Sequence, residues 1–74
     1  MQEPQEIHIG KLIQNVLKSQ GRSVTWLANE LGCCRTNLYL IFRKQYIDIE
    51  LLIRIAKILD HNFFADIAKS LDIR

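Results

Sequence analysis

The sequence predicts an all-α domain, for three reasons. Apolar residues recur at helical spacing along nearly the whole chain, and no stretch alternates apolar with polar residues as a strand would. The periodic segments are separated by Gly21, Ser23, Gly32, Asp48 and Asn62, residue types suited to helix ends. With 74 residues there is room for one small domain, and a chain of this size buries only roughly 60% of its unfolded surface, which disfavours a deep catalytic pocket. The expected organisation is a disordered polar tail over residues 1–6, containing Pro4, followed by a single domain over residues 7–74.

Ile9, Leu12, Ile13, Val16 and Leu17 follow an i, i+3, i+4, i+7, i+8 pattern, which predicts a first helix over residues 8–19 with Gly21 as its C-terminal cap. Ser23 can cap a second helix whose inner face is Val24, Leu27, Ala28 and Leu31, ending at Gly32. A third helix is expected from Arg35 to Lys44. Asp48 is a suitable N-cap for a fourth, with Ile49, Leu52, Ile53, Ala56 and Leu59 on one side. Leu51, Ile55 and Ile58 form a second stripe on that helix, suited to pack on Phe63 and Phe64. Asn62 can cap a short fifth helix in which Phe64, Ile67, Ala68 and Leu71 share a face. The sum is five short helices around one core.

An apolar content of 49% and a charged content of 24% fit a folded domain rather than a disordered chain. No apolar run approaches the roughly 18 residues of a membrane span. Residues 1–6 are polar and unlike a signal peptide, so the expected location is the cytoplasm, with no membrane partner. The net charge of +2 is small, but it is unevenly spread. From His8 to Ile47 there are six basic residues (Lys11, Lys18, Arg22, Arg35, Arg43, Lys44) against one acid, Glu30. From Asp48 onward, five acids outnumber four basic residues. A polyanionic partner fits that excess, and so does ordinary solvated surface charge.

Only Gly32-Cys33-Cys34 separates the second helix from the third. So short a join, opening on a glycine, forces a sharp crossing and predicts a helix-turn-helix unit. On a wheel of 100° per residue, Leu38, Ile41 and Phe42 of the third helix point inward. Thr36, Leu40 and Arg43 point the opposite way, with Asn37 and Tyr39 on the flanks and Arg35 at the rim of the first turn. These residue types suit a DNA major groove. Arginine can donate two hydrogen bonds to guanine, asparagine can pair with adenine, and an apolar group can meet the thymine methyl. Leu40 fits that last role, and it equally fits a solitary surface leucine. Arg43 and Lys44, where the helix ends, are placed for phosphates, which fix position rather than sequence.

From Gly21 to Leu59 the chain resembles the phage repressor and Cro-like helix-turn-helix family, the Xre-type transcriptional regulators. The likeness rests on Ser23-Val24-Thr25-Trp26-Leu27-Ala28 at the second helix, Leu31-Gly32 at the turn, Arg35-Thr36-Asn37-Leu38-Tyr39 at the third helix, and Leu52-Ile53-Arg54-Ile55-Ala56-Lys57-Ile58-Leu59 at the fourth. The resemblance implies a five-helix, lambda-repressor-like DNA-binding domain that recognises double-stranded DNA and regulates transcription. It implies that Ser23, Val24 and Thr25 approach the DNA backbone, where free helix amides favour phosphate. Arg35, Thr36, Asn37, Tyr39 and Leu40 would then face bases or adjoining phosphates. It also implies a homodimer through the fifth helix, using Phe64, Ile67 and Leu71. The chain departs from the family pattern at Val24, usually glutamine, at Phe42, usually glutamate, and at Lys44, usually glycine.

Adjacent Cys33 and Cys34, with only His8 and His61 as further soft ligands, do not make zinc spacing, so no metal is expected. The resemblance implies an apolar turn position for Cys33 and a serine-like cap position for Cys34, and Cys33 is expected as a small buried hydrophobe. The alternative is a redox switch at Cys34, where Arg35 and the helix amides favour thiolate. His8 and His61 are expected as solvated or capping groups. Trp26 falls on the outward side of the second helix, where it either covers the first helix or meets a partner. No nucleophile–base pair and no glycine-rich phosphate loop occurs, so no catalytic residue and no cofactor is expected. Two functions are left from different classes. One is sequence-specific DNA binding. The other is a protein-interaction module, an antitoxin or adaptor, that uses Trp26, Tyr39 and Leu40 on the same scaffold.

Overall fold

The computed structural model describes residues 7–70 and is all-helical over them. In chain order the helices are α1 (Ile9–Ser19), α2 (Val24–Leu31), α3 (Arg35–Arg43), α4 (Ile49–Leu59) and α5 (Phe63–Ser70). The tail expected over residues 1–6, and Leu71 of the fifth-helix face, lie outside the described residues.

Side-chain acceptors start four of the five helices. His8 Nδ1 accepts from the Lys11 amide, Ser23 Oγ from Trp26, Asp48 from Leu51, and Asn62 Oδ1 from Phe64 and Ala65. Each such cap satisfies an amide that the helix itself leaves free and contributes about 1 kcal/mol. The ends of α1, α2 and α4 close with one hydrogen-bond pattern. At α2 the Cys33 amide donates to Ala28 O and the Gly32 amide to Asn29 O, with Gly32 left-handed at φ 75°. At α4 the left-handed position is Asp60, φ 52°, the one non-glycine residue with positive φ among the described residues. Aspartate tolerates that conformation better than most L-residues.

Among the described residues, thirteen apolar side chains form the core, with Phe63, Ile13, Leu27, Leu38, Ile55 and Leu59 almost fully enclosed. Burying a side chain of this kind contributes roughly 1.5–3 kcal/mol. Side chains also tie helix ends across the core. Gln20 Nε2 donates to Leu59 O at 2.7 Å, joining the end of α1 to the end of α4, and Arg54 donates to Leu31 O at 3.4 Å, joining α4 to the end of α2.

α1 and the end of α3 approach closely. The amides of Ile9 and Gly10 donate to the carbonyls of Gln45 and Lys44, just beyond α3, at 2.8 and 3.0 Å. Gly10 is buried against the end of α3, where a Cβ would lie 2.3 Å from the Phe42 carbonyl oxygen and 2.5 Å from that of Ile41.

Two expectations are corrected. Ile49 and Ile53, expected with the inner side of the fourth helix, are exposed, while Ile55 of the second stripe is fully buried. The inner face runs Leu52, Ile55, Leu59, because Glu50, Arg54 and Lys57 occupy the opposite arc and hold Ile53 beside them at the surface. Cys33, in the turn that follows the left-handed Gly32, is half-buried against the core rather than buried. α3 ends at Arg43 with Lys44 as its C-cap, ψ 134° and extended, in agreement with the expected bounds.

Candidate nucleic-acid interface

α3 is anchored from below and open above. Leu38 is fully buried and Ile41 and Phe42 nearly so, while Arg35, Thr36, Asn37, Tyr39, Leu40 and Arg43 are all exposed. The spacing dictates this, because residues 38, 41 and 42 share one face of a helix and the others fall outside that arc. Tyr39 rests edge-on against Phe42, ring centroids 6.2 Å apart and planes at 84°, and stays half exposed. The outward face thus offers two guanidinium forks, an amide, two hydroxyls and one leucine, and no carboxylate.

The start of α3 is less well made than its face. Cys34 is the N-cap, extended at φ −90° and ψ 161°, but its thiol makes no capping bond. The amides of Asn37 and Leu38 reach only the Cys34 carbonyl. Cys34 is exposed, and both cysteines are free thiols. Cys34→Ser is therefore expected to stabilise the fold by about 1 kcal/mol, since the backbone already has N-cap geometry and a serine oxygen accepts far better than sulfur. Urea denaturation under reducing conditions measures it, and an unchanged or lower midpoint would show that the side chain cannot reach the amides.

The expected phosphate-contacting residues fall into two groups. At the start of α2, Ser23 and Thr25 are exposed, and Ser23 Oγ accepts from Trp26 while keeping its own hydrogen to donate. Val24 is half-buried against the core. The second group is Arg43 and Lys44 at the end of α3, both exposed. Trp26 is half-buried, and the Arg22 guanidinium lies 4.1 Å from its ring centroid, which covers the face left by the core with a cation.

Beside α3 lies a groove the sequence reading did not single out. It has a volume of about 430 Å³ and is walled by His8, Lys11 and Gln14 of the α1 side and Tyr39, Phe42 and Arg43 of α3. Lys11 and Gln14 are three residues apart, so both lie on one edge of α1, and that spacing was the available signal. A second groove of about 420 Å³ lies between α4 and α5, lined by Ile53, Ala56, Lys57, Asp60, His61, Asn62 and Phe64. At its edge His61 Nε2 meets Asp66 at 2.5 Å, both side chains one third exposed, with Phe63 edge-on to the imidazole. Among the described residues no three His, Cys, Asp or Glu side chains gather as a metal site. No helix there is long and apolar enough to cross a membrane.

Compared with known proteins, the chain matches no family model, no curated protein and no solved structure.

Proposed function

We propose that this chain binds double-stranded DNA sequence-specifically, with α2 and α3 acting as a helix-turn-helix unit and α3 lying in the major groove. The observation that carries this is the outward face of α3. Five side chains able to meet base edges, Arg35, Thr36, Asn37, Tyr39 and Leu40, stand exposed on a helix fixed by Leu38, Ile41 and Phe42. Ser23, Thr25, Arg43 and Lys44 hold the flanking phosphates, and a single acid, Glu30, interrupts the chain from Ile7 to Ile47. Such a protein regulates transcription as a binding module and carries out no catalysis. It acts as a homodimer on two half-sites about one helical turn, ~34–36 Å, apart. Exposed Phe64 and Ile53, with half-buried Ile67, supply apolar surface for pairing two copies.

Selection from random duplexes at near-physiological salt tests this. The expected result is an enriched motif repeated in two half-sites, and the absence of any enrichment rejects it.

A second reading rests on a separate observation. Leu40, Tyr46 and Ile49 are 51, 67 and 60% exposed, large apolar groups left to solvent in a small chain. A protein partner would cover them, and the scaffold would then be an interaction module. Trp26, tucked under Arg22, adds little to that surface. The two functions differ in salt response, since for DNA binding log K falls by about 0.9 per phosphate neutralised for each tenfold rise in salt.

A further inference from the structure

We propose that the groove between α1 and α3 seats a backbone phosphate of the bound duplex, which makes α1 a working part of the interface; this rests on the DNA-binding function proposed above. Among the described residues the groove presents donors and no acid. Lys11 brings an ammonium, Arg43 a guanidinium, Gln14 an amide and Tyr39 a hydroxyl. His8 joins them through its tautomer: Nδ1 accepts the Lys11 amide at 3.1 Å, so the hydrogen of the neutral ring sits on Nε2 and can be donated. Neither α1 nor α3 contains a carboxylate, and among the described residues neither Lys11 nor Arg43 has an ion-pair partner.

Side chains must hold the anion, because the first amides of α1 are already committed to Gln45, Lys44 and His8. Tyr39 and Arg43 belong both to this groove and to the outward face of α3. A strand flanking the bases that α3 reads therefore runs on into the groove, and the phosphate it brings meets Lys11 opposite Arg43. A phosphodiester is a good match for such a fork of cationic and neutral donors.

Lys11→Gln and Lys11→Arg, in the full chain, test this on a duplex carrying the selected site and on an unrelated duplex over a salt series. For Lys11→Gln the slope of log K against log salt is expected to fall by about 0.9 on both duplexes. Over a fourfold rise in salt it then loses about 3.5-fold less affinity than the unsubstituted chain. Its sequence preference stays the same, and Lys11→Arg keeps the original slope. Ethylation interference should find one phosphate whose blocking harms the unsubstituted chain and no longer harms Lys11→Gln. Duplex binding with an unchanged slope in Lys11→Gln overturns the groove's role alone. No duplex binding by the unsubstituted chain overturns that role and the proposed function together. Inorganic phosphate titrated without DNA, read by NMR shifts of the Lys11 amide and the His8 ring, separates the two sources of phosphate. Tight saturable binding assigns the groove to a small free anion and overturns the duplex as its occupant, whereas weak, unsaturated shifts support the duplex.

Discussion

Gly10→Ala is expected to cost the fold about 3 kcal/mol or more, although alanine is ordinarily the better helix residue by about 1 kcal/mol. The added methyl would sit 2.3 Å from the Phe42 carbonyl oxygen and 2.5 Å from that of Ile41. Both are backbone atoms, so no side chain can swing aside. Nor can α3 retreat easily, because Leu38, Ile41 and Phe42 hold it in the core and the Ile9 and Gly10 amides clasp the residues just beyond it. For a domain whose whole stability is of the order of 5–10 kcal/mol, that is a large share. Chemical denaturation followed by circular dichroism measures it. Because α1 and α3 must separate to admit the methyl, duplex affinity should fall with stability. A variant as stable as the original chain would mean that the two helices do not approach so closely.

Arg35→Ala is expected to leave stability nearly unchanged and to remove roughly 1–3 kcal/mol of discrimination at one base position. Arg35 is exposed at the first turn of α3, and among the described residues it has no acid partner to lose. Lys44→Ala is the matched control. Lys44 lies beyond the helix, and the proposed function gives it a phosphate rather than a base, so its loss should weaken all duplexes about equally and reduce the salt slope by about 1. Repeating the selection with each variant separates the two effects. If Arg35→Ala enriches the same sequences with the same discrimination, Arg35 reads no base.

Most of the scaffold was legible because short helices carry their own punctuation. Ser23, Asp48 and Asn62 cap where their spacing predicts, Gly32 closes α2, and the wheel of α3 separates anchor from outward face as expected. α4 was misread because eight of its eleven residues are apolar, so apolar periodicity could not pick a side. The three charged residues could have done so, since the arc opposite Glu50, Arg54 and Lys57 is Leu52, Ile55 and Leu59. Gly10 escaped for another reason. A glycine on the inner face of a helix signals close approach of a neighbour, but which backbone approaches is a tertiary fact. The groove beside α3 is likewise created by the meeting of two helices distant in sequence, and only its composition, rich in donors and free of acids, was written in the chain.

The ties that Gln20 and Arg54 make across the core bear on how the molecule breathes. Each donates to the carbonyl end of a different helix, so α1, α2 and α4 cannot unwind at their ends one at a time without forfeiting a bond held by a neighbour. Their amide hydrogens should exchange with solvent through a single shared opening. α5 has no such tie among the bonds described and is enclosed chiefly at Phe63, so its amides should exchange first, as a separate unit. Two copies pairing through α5 would slow that early exchange, and native-state hydrogen exchange across a range of protein concentrations would register the pairing as added protection confined to that helix.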